Sequence, residues 1–226
     1  MNLNDLDNPV WHAINSHHLP LSIQGDIAAR YQSDIFQAAA MPKNTKSALN
    51  DLKSLVEADE IIFIVGTHPN NLDGWQVLDH WKAPQMVCTD LKPAVQIEST
   101  RLNLADIPEM LDLVALAQPG PFLPRTIEMG NYYGIRQDGK LVAMAGERLH
   151  LTGFCEISAV CTHPNFRGRG YAAALTTQVA QGISERGELP FLHVAPDNHP
   201  AMRLYQKLGF QLRIEIELCG LQRVDT

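Results

Sequence analysis

No run of apolar residues in the chain approaches the roughly 20 that a membrane-spanning helix needs, so no membrane partner is expected. Cysteine is scarce and scattered. Cys88, Cys155, Cys161 and Cys219 form no CxxC pair, and three of them lie in strand-like apolar runs that suit a buried, reduced thiol. Neither a disulfide nor a metal site is expected. Positive charge is also short, with 18 Lys and Arg against 25 Asp and Glu and a net charge of −7. Nucleic acids and acidic membrane surfaces are held by clustered cations, so neither is an expected partner. Near the amino terminus, Asp5 and Asp7 stand where a secretory leader would be basic, and His17-His18-Leu19-Pro20 interrupts any apolar run. A cytoplasmic location is expected.

What remains is the composition of a globular protein, 45% hydrophobic and 19% charged over 226 residues. That length suits one large domain or two small ones. Residues 1–95 hold 6 basic and 11 acidic side chains and residues 96–226 hold 12 and 14, so most of the excess acid is in the first part. The element pattern also becomes more regular from Ala94 onward. Two modules are therefore expected, a smaller α/β N-terminal domain over 1–94 and a second over 95–226.

In the first, Thr45 caps a helix to Ala58 with Leu49, Leu52, Leu55 and Val56 on one face, and "IIFIVG" is a buried strand ending at Gly66. "GWQVLDHW" and "QMVCTD" suggest a short helix and a strand. In the second, a helix over Ala105–Ala117 ends at "QPGPFLP", and Asp138-Gly139 turns a hairpin. "FCEISAVCT" alternates Ile157, Ala159 and Cys161 against Glu156, Ser158, Val160 and Thr162. A helix over Arg169–Arg186, the strand "LPFLHVA", the helix "HPAMRLYQKL" closed by Gly209 and the strand "FQLRIEIELCG" follow. The fold class is mixed α/β, strands and helices in layers. "GTHPN" after the first strand echoes "CTHPN" after Cys161, and a decayed internal repeat would explain it.

"HPNFRGRGYAAAL" runs from the end of a strand into a helix, and no Asp or Glu lies between Ile157 and Ser184. A helix start offers unpaired N–H groups and a positive dipole end, which suits a diphosphate when no Cβ blocks close approach. Gly168 and Gly170 remove the Cβ, and Arg167 and Arg169 supply charge. The stretch is neither a Walker A loop nor a dinucleotide fingerprint.

These residues resemble the GNAT superfamily of acyl-CoA-dependent N-acyltransferases. Its pyrophosphate loop reads Arg/Gln-x-x-Gly-x-Gly/Ala, and Arg167-Gly168-Arg169-Gly170-Tyr171-Ala172 matches it; "NHPAMRLYQKLGF" matches its second landmark. The resemblance covers about residues 95–226. It implies a mostly antiparallel central sheet flanked by helices, with residues 1–94 as a degenerate, non-catalytic copy of the same fold. It further implies acetyl-CoA as co-substrate, bound by Val160, Thr162, Arg167, Gly168, Arg169, Gly170, Tyr171, Ala172 and Asn198. Tyr205 takes the position of the proton donor to the thiolate. Glu156 is the expected base or a surface carboxylate, Ser158 can hold a water between base and amine, and His163 is read as a turn residue. The implied reaction is acetyl transfer to a primary amine of a small molecule or peptide by direct attack. The rival reading is a silent acyl-CoA sensor. The acidic surplus favours a cationic acceptor whereas Arg125, in "GPFLPRTIEMGNYY", favours a carboxylate. A homodimer is left open.

Overall fold

Thr45 Oγ1 accepts from the Ala48 amide at 3.2 Å ahead of α2 (Lys46–Ser54), closing that helix as its sequence requires. Asn198 Oδ1 does the same for the Ala201 amide at 3.1 Å ahead of α5 (His199–Lys207), where Pro200 sits in the first turn. A 3₁₀ turn boxed by Asn103 and Asp106 leads into α3 (Ile107–Ala117), which ends at Gln118 with φ +50° before the proline-rich loop. The other helices are α1 (Pro9–Ile14) and α4 (Tyr171–Glu185). The computed structural model describes residues 2–66, 69 and 72–224. The "GTHPN" echo therefore lies largely outside the described residues.

The strands are β1 (Ser22–Gln24), β2 (Ala29–Tyr31), β3 (Ala38–Ala40), β4 (Ile61–Val65), β5 (Trp75–Cys88), β6 (Thr100–Arg101), β7 (Tyr132–Gln137), β8 (Lys140–Leu151), β9 (Phe154–Thr162), β10 (Leu189–His193) and β11 (Phe210–Arg223). Among the described residues they form one sheet in the order β1-β2-β3-β4-β11-β5-β10-β9-β8-β7-β6. Every neighbouring pair is antiparallel except β3 with β4 and β9 with β10. This is the mixed, mostly antiparallel sheet that the resemblance implies, and it runs across residue 95. β5 from the first part lies between β10 and β11 of the second. One expectation fails here: Trp75–Cys88 is a single strand, because β11 pairs with it from Arg223↔Trp75 to Phe210↔Cys88. Tertiary pairing overrides the short helical pattern.

Gly209 shows how tightly the second landmark is built in. Its φ is +98°, and a Cβ there would lie 2.1 Å from the Asp90 carbonyl oxygen, so only glycine lets α5 turn into β11 against that backbone.

The helices cover opposite faces of the strands. Leu175, Val179 and Ile183 of α4 pack with Val142, Ala143, Ala145, Cys155 and Ile157, whereas Met110 and Leu113 of α3 pack with Met144, Ala159 and Cys161. Ile157 and Ala159 are two residues apart and would share a face of a regular strand. They do not. Ala159 stands at φ +53°, and the β8–β9 register jumps from Gly146↔Ser158 to Met144↔Cys161, so a bulge inverts the strand's facing at this point. The simple alternation read from "FCEISAVCT" is corrected accordingly. The four cysteines are buried thiols.

Side-chain contacts tie the amino-terminal residues to the sheet. Gln85 Nε2 donates to the Leu6 carbonyl at 2.8 Å, and Thr126 Oγ1 donates to that of Ile35 at 2.7 Å. His18, 3% exposed, lies between Tyr31 Oη at 2.8 Å and the Met129 carbonyl at 3.0 Å. A neutral ring donating from Nε2 and accepting at Nδ1 satisfies both partners. Burial, together with the nearby His150 and His17, lowers its pKa to about 4 against the Met129 hydrogen bond and Glu156, which raise it. Unfolding then takes up a proton between about pH 4 and 6.5, so this contribution is complete above 6.5 and is lost as pH falls through that window, by on the order of 2 kcal/mol at pH 5. The thermal midpoint of the wild type should fall more steeply from pH 7 to 5 than that of His18→Gln. Equal slopes would show that another group sets the acid sensitivity.

Candidate active site

β9 and β10 pair only from Leu189↔Phe154 to Phe191↔Glu156. Beyond Glu156, β9 bulges at Ala159 while β10 continues along β5, so the two parallel strands part. Two adjoining grooves open in the gap, and Val160, Asn198, Ala201 and Tyr205 line both.

The first groove, about 540 Å³, is lined also by Thr162, Arg167, Ala172 and the 117–119 turn. Thr162 Oγ1 is buried there without a hydrogen-bond partner among the described residues, so a ligand able to donate or accept would satisfy it. At the mouth, Gly168 and Gly170 have φ of +79° and +80° and nothing within 4 Å of where a Cβ would stand. Gly170 is the N-cap of α4 and brings no side-chain acceptor to its amides. Packing does not require that glycine; its left-handed backbone favours it, and the open space beside it leaves the helix start accessible to an anionic ligand. Arg169 rests on the Phe166 ring at 4.8 Å, and His163 accepts from the Asn165 amide at 3.2 Å as a turn residue. Backbone N–H groups and the guanidinium groups of Arg167 and Arg169 at this mouth suit an anionic ligand. Asn198 Oδ1 caps α5, and its amide NH₂ is a donor it can offer a ligand.

The second groove, about 320 Å³, is lined by Ser158, Arg148, His193, Trp81 and the 118–121 loop besides the shared residues. Tyr205 is 7% exposed, and burial with the nearby Cys161 pushes its pKa up to about 12. Its phenol is therefore protonated near neutral pH.

Glu156 requires a correction. It is neither a surface carboxylate nor a base poised toward the groove, because it is fully buried and engaged at both oxygens. Arg148 Nε and Nη2 donate to its Oε2 and Oε1, each at 2.8 Å, and His193 Nδ1 lies 2.7 Å from Oε1. Burial alone would raise its pKa, but the charge and hydrogen bonds of Arg148, with the hydrogen bond of His193, hold it well below the usual carboxylate range. Such a group does not take up a proton near neutral pH. Arg125 is also reassigned: it binds Glu128 at 2.7 Å, Gln32 at 2.8 Å and Asp34 at 3.2 Å, tying its loop to the amino-terminal residues instead of facing the groove.

Arg148, His193 and the bulge at Ala159 escaped the sequence reading. The available signal was a charged residue within an apolar strand, Arg148 beside Leu149 and His193 at the end of "LPFLHVA". No sequence signal marked Ala159, since alanine seldom adopts positive φ.

Residues 132–218 match the family model described as FR47-like protein. A GNAT-family protein of Novosphingobium aromaticivorans DSM 12444, with a crystal structure at 1.80 Å resolution, is 34% identical; the match covers 97% of this chain and 99% of that one at a TM-score of 0.89. A GCN5-related N-acetyltransferase from Kribbella flavida shares the fold at 20% identity, over 95% and 96% of the chains, with a TM-score of 0.61. A mycothiol acetyltransferase from Thermomonospora curvata is 34% identical over 76 residues, 33% of this chain and 25% of that protein, so the matched segment spans a quarter of that relative. Identity of 34% along nearly the full length of both chains shows the family: this chain belongs to the GNAT family of acetyltransferases.

Proposed function

We propose that the chain moves an acetyl group from acetyl-CoA to a primary amine of a small molecule or peptide, by direct attack where the two grooves meet. The observation that carries this reading is the parting of β9 from β10 beside a helix start stripped of Cβ atoms. Arg167, Gly168, Arg169, Gly170, Tyr171 and Ala172 hold the diphosphate through backbone N–H groups and guanidinium charge. Backbone groups of Val160 and Thr162 and the Asn198 amide hold the arm. An N–H beside Val160, turned by the bulge, polarises the thioester carbonyl.

The amine nitrogen forms a bond to the carbonyl carbon, and the C–S bond breaks. Tyr205 gives its proton to the departing thiolate and is reprotonated from solvent. An amine with a pKa near 10.4 is mostly protonated at pH 7, and freeing it costs roughly 4–5 kcal/mol. With Glu156 engaged by Arg148, the proton leaves through water held at Ser158. Residues 1–94 supply no catalytic group but add Trp81 and Ala83 to the acceptor groove and the Phe36 ring beneath Arg148, 4.7 Å from its guanidinium carbon.

Gly170→Glu puts bulk and negative charge at the phosphates and should abolish acetyl-CoA binding in calorimetry, while Gly170→Ala, strained by about 1–2 kcal/mol, should weaken it. Unchanged affinity in the glutamate variant would remove the loop from the site. Tyr205→Phe should lower kcat by about 10²-fold with acetyl-CoA affinity little changed. Equal turnover would make this tyrosine a packing residue.

A further inference from the structure

We propose that the acceptor carries a carboxylate beside its amine, as an amino acid does, and that Arg148 selects it. This rests on the acetyl-transfer reading above. The side chains lining the acceptor groove include one permanent cation, Arg148, and one histidine, His193, but no Asp or Glu among the described residues. That is unusual in a protein of net charge −7. Glu156, behind Arg148, has a side chain only 1% exposed and both oxygens engaged by Arg148 and His193, so it offers no direct contact to an acceptor.

Arg148 is held for this task. Its Nε and Nη2 form a two-point contact with Glu156, and its guanidinium lies over the Phe36 ring. A guanidinium has five N–H donors in a rigid fork, and Glu156 takes two of them, which leaves the Nη1 edge for another acceptor. The side chain is 15% exposed and borders the same groove as Ser158, Val160 and Tyr205. A carboxylate can take a second two-point contact there. A polyamine would instead find no acidic side chain on the groove wall to pair with and would leave the outer edge of Arg148 without an acceptor. The net acidity of the protein therefore does not describe its acceptor groove. The groove's volume of about 320 Å³ suits a small molecule.

Behind Glu156, polar contacts continue to Gln85, 3.0 Å from His193 Nε2, and to Arg213, whose Nη1 donates to Gln85 Oε1 at 2.8 Å. β5 and β11 thus brace the arginine from the far side, so that its outer edge is fixed before an acceptor arrives.

The test uses the unaltered protein with saturating acetyl-CoA and three matched acceptor series: amino acids, their carboxamides and their decarboxylated amines. Release of CoA thiol is followed. The carboxylates should show kcat/KM about tenfold or more above the carboxamides and amines. Equal values across the series would overturn the carboxylate assignment and leave acetyl transfer standing. Release with none of the three would overturn the transfer reading and this inference with it. Arg148→Gln combined with Glu156→Gln removes both buried charges together and should abolish the preference for the acid over its amide. A preference that survives in the folded double variant would contradict the role of Arg148.

Discussion

The left-handed conformation of Ala159 is the constraint on which the rest of the site depends. A non-glycine residue at φ +53° costs about 1–2 kcal/mol, and the loss must be offset by what the bulge allows. The bulge turns β9 over, so that Ile157 faces α4 while Ala159 and Cys161 face α3. It coincides with the point where β9 leaves β10, since their pairing stops at Glu156↔Phe191. A sheet with full pairing along both strands would have no room for a ligand between them. Parting them leaves backbone groups and Thr162 Oγ1 facing a groove instead of a neighbour. Tyr171 and Leu175 of α4 belong to the same core as Ile157, so the loop that precedes the helix is fixed relative to the opening.

The second organising element is ionic. Arg148 and Glu156 lie where burial penalises each charge, and they are stable there because each satisfies the other in a two-point contact. Removing one partner would leave an isolated buried charge, typically a loss of 3–5 kcal/mol. Around the pair, His193, Gln85 and Arg213 come from β10, β5 and β11, so the network joins strands from both parts of the sequence. The amino-terminal residues are built into the sheet through β5, and the groove beside Arg148 takes Trp81 and Ala83 of its wall from them.

Much of this was legible in the chain. The Arg167–Ala172 loop, the Asp138-Gly139 hairpin and the capped helices α2 and α5 rest on local rules, glycine where φ is positive and a capping side chain where N–H groups are unpaired, and those rules act within a few residues. The site was harder to read. Glu156 looked like a base because sequence shows a carboxylate near the loop; its partner Arg148 lies on the neighbouring strand, and only the β8–β9 pairing brings the two together. Trp75–Cys88 took its strand form from β11, more than a hundred residues away in sequence, and no local pattern announces such a partner. The inverted facing at Ala159 is likewise a property of the paired strands. No helix among the described residues is long and apolar enough to cross a membrane.

Amide hydrogen exchange, followed residue by residue with and without acetyl-CoA, tests most directly whether the gap between β9 and β10 and the start of α4 form one binding surface. Protection is expected at Val160–Thr162 and Gly168–Ala172 together, with little change on β1–β4. Binding that leaves those two segments unprotected, or protects one of them alone, would contradict it.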